Sequence, residues 1–128
     1  MITTPEELLQ RWMRCVNDGD APGLLALYNE KAVLIPTFSN RLLVTPEGIA
    51  DYFTRLASRE DLSIALHEKT VRFQKIAGTV YAASGIYCWR FMVEEEMLSF
   101  EARFSYVFDL SQEAPILQHH SSQIPRML

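Results

Sequence analysis

The most constraining feature of the chain is a run of strict alternation at residues 100–109. Phe100, Ala102, Phe104, Tyr106 and Phe108 alternate there with Glu101, Arg103, Ser105, Val107 and Asp109. A period of two over ten residues specifies a strand with one apolar and one polar face. A turn at Ser111-Gln112-Glu113-Ala114-Pro115 then leads into a second run, residues 116–125, which contains His119-His120-Ser121-Ser122-Gln123-Ile124-Pro125. If the two runs pair, Arg103 and Ser105 share a face with either His119 and Ser121 or His120 and Ser122. A shift of one residue exchanges the two sets, so the register decides which histidine turns inward.

Upstream, the chain is punctuated by helix signals. Thr4, Pro5 and Glu7 form a capping box before Leu8, Leu9, Trp12, Met13 and Val16, which recur at helical spacing. The helix should stop at Asp18-Gly19. Asp20 and Pro22 start a second, short helix with Leu24, Leu25, Leu27 and Tyr28 on its apolar face. A short strand at residues 32–35 ends at Pro36, a loop follows at Thr37-Phe38-Ser39-Asn40, and Thr45-Pro46 opens a third helix to about Ser58.

The period then changes to that of strands. Leu62, Ile64 and Leu66 alternate in one phase, and Val71 and Phe73 in the other, which predicts a bulge between His67 and Lys69. After a turn at Ala77-Gly78, residues 80–93 are apolar on both parities and need cover on both faces. Helices can supply one cover and a second subunit the other. Glu94-Glu95-Glu96 is a solvated hairpin tip. Helices followed by strands predict an α+β fold: three N-terminal helices packed on a strongly bent antiparallel sheet, forming a cone with a pocket.

At 128 residues the chain is expected to be a single domain, 1–128, large enough to bury about two-thirds of its unfolded surface. A formal net charge of −4 offers no basic stripe for nucleic acid. No apolar run approaches the ~20 residues that span a bilayer, and the first residues lack a signal pattern, so no membrane partner is expected. Cys15 and Cys88 have no metal or redox spacing and read as buried free thiols of a reducing cytoplasm.

The helix starts, the Asn17-Asp18-Gly19-Asp20 turn, the run from Leu27-Tyr28 through Ala32–Ser39 and above all the His-His-Ser-Ser-x-x-Pro ending resemble the NTF2-like (SnoaL-like) superfamily. The resemblance covers nearly the whole chain. Within the superfamily it is strongest to stand-alone bacterial proteins related to the association domain of calcium/calmodulin-dependent protein kinase II. It implies a cone-shaped α+β barrel, a homodimer or higher oligomer through the sheet, and a pocket for a small carboxylate or hydrophobic ligand. Where the kinase domain has arginines on its last two strands, Ser105 and Ser121 stand here, with Arg103 nearby.

These residues lead to an expected function: a non-catalytic, homo-oligomeric association or small-ligand-binding module. The ligand contacts expected are Arg103, Ser105, His119, Ser121, Tyr28, Tyr52, Tyr87 and Trp89. The alternative is a small SnoaL-like enzyme (an isomerase, a cyclase or a hydrolase-like catalyst) acting on a compact hydrophobic substrate, with His119 or His120 as base. Glu68 and Glu101 are further acid-base candidates, and Glu101 is also an ion-pair partner for Arg103. Adjacent strand residues point to opposite faces, so His119 and His120 do not chelate one ion, even with His67 near, and neither metal nor cofactor is expected.

Overall fold

A computed structural model describes residues 1–125 of the chain. Three helices, α1 (Pro5–Asn17), α2 (Ala21–Leu25) and α3 (Pro46–Ala57), pack on one face of a six-stranded sheet. Its strands are β1 (Tyr28–Ile35), β2 (Ser63–Leu66), β3 (Arg72–Ala77), β4 (Val80–Val93), β5 (Glu96–Asp109) and β6 (Ile116–Gln123). They lie in the order β1-β6-β5-β4-β2, and β3 also pairs with β4. The curved sheet and its helices form the α+β cone expected.

Each helix starts where its cap predicts. The Thr4 side chain accepts from the Glu7 N–H, Asp20 from Gly23 and Thr45 from Gly48, and each cap satisfies an otherwise orphaned donor. Asn17, the last residue of α1, uses its carboxamide as a surrogate strand. Its Oδ1 accepts from the Ile64 N–H at 2.8 Å and its Nδ2 donates to the Ile64 carbonyl at 3.2 Å. The outer edge of β2 is thereby paired at Ile64, where an open edge would invite another chain.

Three expectations need correction. The first strand begins at Tyr28, four residues earlier than its pattern suggests, and pairs parallel with β6, so the sheet is not wholly antiparallel. Tyr28 is accordingly a strand residue, not part of the second helix. The phase change near His67 is a 3₁₀ turn, Glu68–Thr70, which divides the expected strand into β2 and β3. Here the Thr70 hydroxyl replaces a missing strand neighbour: Ile86 donates its N–H to Thr70 Oγ1 at 2.9 Å, and that hydroxyl donates to the His67 carbonyl at 2.7 Å. Gly85 leaves the room, because a Cβ there would stand 3.1 Å from Thr70 Oγ1 and 3.0 Å from the Phe104 ring. Finally, Cys15 and Cys88 are free but only partly buried.

Strand parity settles which faces are inside. Tyr87, Trp89 and Phe91 of β4, Ala102, Phe104, Tyr106 and Phe108 of β5, and His119 and Ser121 of β6 face the helices and are buried. Ile86 and Cys88 of β4 and Val107 of β5 lie on the outer face and are half-buried, while Glu101, Arg103, Ser105, His120 and Ser122 on that face are exposed. The last strands pair Arg103 with Ser122 and Ser105 with His120, whereas Phe104 pairs with Ser121 and Tyr106 with His119.

Candidate functional site

The interior of the cone is organised around His119, which is 2% exposed. The Tyr28 hydroxyl lies 2.7 Å from its Nδ1 and the Tyr87 hydroxyl 3.1 Å from its Nε2. Tyr106 stacks on the imidazole at 3.9 Å between ring centres, and Trp12 meets it edge-on at 5.3 Å. The direction of donation follows from the Trp12 indole, a donor only. It donates to the Tyr28 oxygen at 3.0 Å. The Tyr28 proton then has the His119 Nδ1 lone pair as its acceptor, which leaves the ring proton on Nε2, donated to Tyr87.

Ser121 and Thr37 continue the chain outward. Their hydroxyls bond each other, and both side chains reach the Tyr87 oxygen. Burial, and secondarily the neighbouring His120, lowers the His119 pKa to about 3, so the ring is neutral. Burial raises Tyr28, Tyr87 and Tyr106 well above the ordinary phenol value. A void of about 10 Å³ between α1 and the sheet, bounded by Leu8, Leu9, Trp12, Ala83, Tyr106 and Phe108, holds one water at most.

Open space lies at the mouth of the cone. A pocket of about 1030 Å³ is bounded by the loop after β1, by α3 and by the far end of β4. Phe38, Tyr52 and Phe91 give it an aromatic wall, and Arg41, Arg55 and Arg59 give it three guanidinium groups. Arg55 is held by Asp51 at 3.1 Å, one helical turn back. Arg59 lies over the Phe91 ring at 5.4 Å. Tyr52 accepts a hydrogen bond from the Phe38 N–H at 3.2 Å, and burial pushes its pKa up to about 12.

The eight residues singled out as ligand contacts do not line one surface. Tyr28, Tyr87, His119 and Ser121 are joined inside the cone, with Trp89 beside them. Tyr52 lines the mouth pocket. Arg103 and Ser105 stand on the outer face of β5 because they alternate with the inward Phe104 and Tyr106, and the register puts His119 on the inner face. Glu101 shares that outer face and Glu68 is exposed on the 3₁₀ turn. Among the described residues Arg103 and Glu101 form no ion pair, and no group of three His, Cys, Asp or Glu could hold a metal ion. Sequence patterning missed Phe38, Arg41, Arg55, Arg59 and Phe91 as a group. The one signal was the Arg55/Arg59 spacing, which places both on one side of the last turn of α3 and its exit.

This architecture, helices closing a curved sheet into a cone, defines the NTF2-like class. The chain belongs to the family of SnoaL-like domains, whose model matches residues 6–127. No curated protein matches the sequence. Solved structures are similar throughout: a candidate calcium/calmodulin dependent protein kinase II association domain from Xanthomonas campestris has a TM-score of 0.84 at 21% identity, covering 95% of this chain and 86% of that one. A candidate dehydratase of the NTF2-like family from Streptomyces avermitilis has a TM-score of 0.79 at 11% identity, covering 93% and 92%. The beta subunit of the benzoate 1,2-dioxygenase from Burkholderia mallei has a TM-score of 0.76 at 19% identity, covering 97% and 93%. At these identities the likeness is one of fold. Among the described residues no helix is long and apolar enough to cross a membrane.

Proposed function

We propose that the chain is a single-domain, non-catalytic, self-associating module that holds a small ligand at the mouth of its cone. One observation carries this reading: the most chemically versatile side chain is spent inside on structure, while the roomy, arginine-bearing pocket lies elsewhere. His119 has both nitrogens occupied by tyrosines and stays neutral down to about pH 3. A general base needs a free lone pair in reach of substrate and a pKa near working pH. His120 is exposed on the outer sheet face, bonded to Ser122 at 2.7 Å, away from the pocket. The enzyme alternative therefore has no histidine base in place.

The pocket suits a ligand with an apolar body and a negative group. Tyr52 and Phe91 offer ring surface, and Arg59 and Arg41 offer charge-assisted donors. Of the residues singled out in the sequence, Tyr52 is the one we keep as a contact, through its ring. Self-association is assigned to the outer sheet face, where Ile86, Cys88 and Val107 are half-buried among Arg103, Ser105 and His120. The Xanthomonas campestris and Burkholderia mallei neighbours, an association domain and an oxygenase subunit by name, are in keeping with that assignment.

The test is calorimetry with small organic acids and their neutral amides, run beside light scattering. Acids should bind, and Arg59→Ala should weaken them roughly tenfold to a hundredfold, the value of a charge-assisted contact. The particle should have at least twice the chain mass, and Val107→Glu should reduce it. A monomer that binds none of the acids would overturn the proposal.

A further inference from the structure

The floor of the mouth pocket is a side chain placed there by a loop. Phe38 turns its ring into a box of three aromatics, edge-on to Trp89 at 5.7 Å, to Phe91 at 5.3 Å and to Phe100 at 5.3 Å. Phe91 and Phe100 stack on each other at 5.0 Å and form one wall. The box belongs to β4 and β5, the rigid centre of the sheet, but its occupant belongs to a segment without regular structure. After Phe38 that segment meets the sheet through the isolated Leu34–Leu43 bridge. At Phe38 itself the tie is the hydrogen bond from its N–H to Tyr52 Oη.

Two further observations bear on this arrangement. Trp89, which forms one side of the box and is 2% exposed, has an indole N–H without a partner among the described residues. Buried donors are nearly always satisfied, so a residue of the box carries a donor for which the described residues supply no acceptor. Arg59 lies over the outer ring of the same wall, Phe91, and lines the pocket above it. An aromatic box, a residue of that box with an unused donor, and a cation over its outer ring therefore stand together.

We propose that this box is an aryl-binding subsite held closed by Phe38, and that an aryl acid opens it by taking the place of the Phe38 ring. The inference rests on the ligand-binding reading above and names the ligand class. The exchange is nearly even in apolar contact, since one benzyl-sized ring replaces another in the same edge-on geometry. Opening costs the Tyr52–Phe38 latch, and it gains an acid group against Arg59. The apparent affinity is the intrinsic one multiplied by the fraction of time the box is open, so weakening the latch should tighten binding.

Phenylacetate is the probe, because its benzyl group is the Phe38 side chain itself and its carboxylate can reach the rim. The protein is titrated while the Trp89 indole N–H and the Phe38 and Leu56 amides are followed in proton–nitrogen spectra. Trp89 and Phe38 should shift together and saturate, phenylacetamide should bind several-fold more weakly, and acetate should move neither. Tyr52→Phe keeps the ring and removes the latch, and should tighten phenylacetate roughly fivefold to tenfold. Phe38→Ala, which empties the box, should bind at least as tightly as Tyr52→Phe. An unchanged or weaker affinity in Tyr52→Phe would overturn the gate, as would shifts at Leu56 with Trp89 unmoved; the latter leaves the open pocket as a ligand site. If neither phenylacetate nor any acid of the calorimetric set binds, the gate and the ligand-binding reading fall together.

Discussion

Tyr28 and His119, ninety-one positions apart in the chain, meet at 2.7 Å because the first strand lies parallel to the last. That contact ties the start of the sheet to its end and, through the Trp12 indole, to the first helix. Tyr28→Phe removes one oxygen and leaves two buried groups, Trp12 Nε1 and His119 Nδ1, without partners. Since each orphaned buried group costs about 1–3 kcal/mol, the variant should lose roughly 2–6 kcal/mol in a denaturant melt with little change in its far-ultraviolet spectrum.

Acid should weaken the fold before carboxylates respond. The folded His119 pKa of about 3 lies below the ordinary histidine value of 6.5, so between those limits the unfolded chain binds a proton that the folded chain does not. Stability from this site is complete above pH 6.5 and falls as pH drops towards 3, by about 1.4 kcal/mol per unit at most and roughly 5 kcal/mol at the limit. Glu7 and Asp109, whose pKa values are lowered chiefly by hydrogen bonds from Thr3 and Thr79, lose their contributions in more acid solution, below ordinary values of 4.5 and 3.8. Unfolding free energies measured between pH 6.5 and 5 therefore isolate the histidine. His119→Gln should flatten the slope there.

The hairpin between β4 and β5 turns on Glu94 and Glu95, with φ of 49° and 68°. Left-handed backbone favours glycine or asparagine, and two such residues in succession make the turn that suits the twist of paired strands. Glu95→Gly should raise stability by about 0.5–1 kcal/mol in thermal unfolding, because the relief of strain outweighs the added freedom of the unfolded chain. A loss of stability would show that the glutamate side chain holds the tip.

Much of this fold was legible in the residues. Thr4, Asp20 and Thr45 announced three helices, and the alternation of Phe100 to Phe108 announced the inner face of β5, because caps and strand parity are local rules. What was not legible depended on partners distant in sequence. Arg103 and Ser105 alternate with Phe104 and Tyr106 and so take the outer face; what their strand alone does not reveal is that His120 and Ser122 share that face while His119 and Ser121 turn inward, because this depends on the register with β6. Tyr28 read as a helical residue because the apolar spacing of Leu24, Leu25 and Leu27 continues into it, whereas pairing with Ile116 draws it into β1. The mouth pocket escaped notice for the same reason. Phe38, Arg59 and Phe91 come from a loop, a helix exit and a strand, and no single period connects them.

Where a ligand sits is tested most directly by soaking crystals in a set of aryl and alkyl acids. Density should appear among Tyr52, Arg59 and Phe91, with the Tyr28–His119–Tyr87 hydrogen bonds unchanged. Density against His119 or Ser121, with those bonds broken to receive it, would contradict that placement and restore a catalytic role for the histidine.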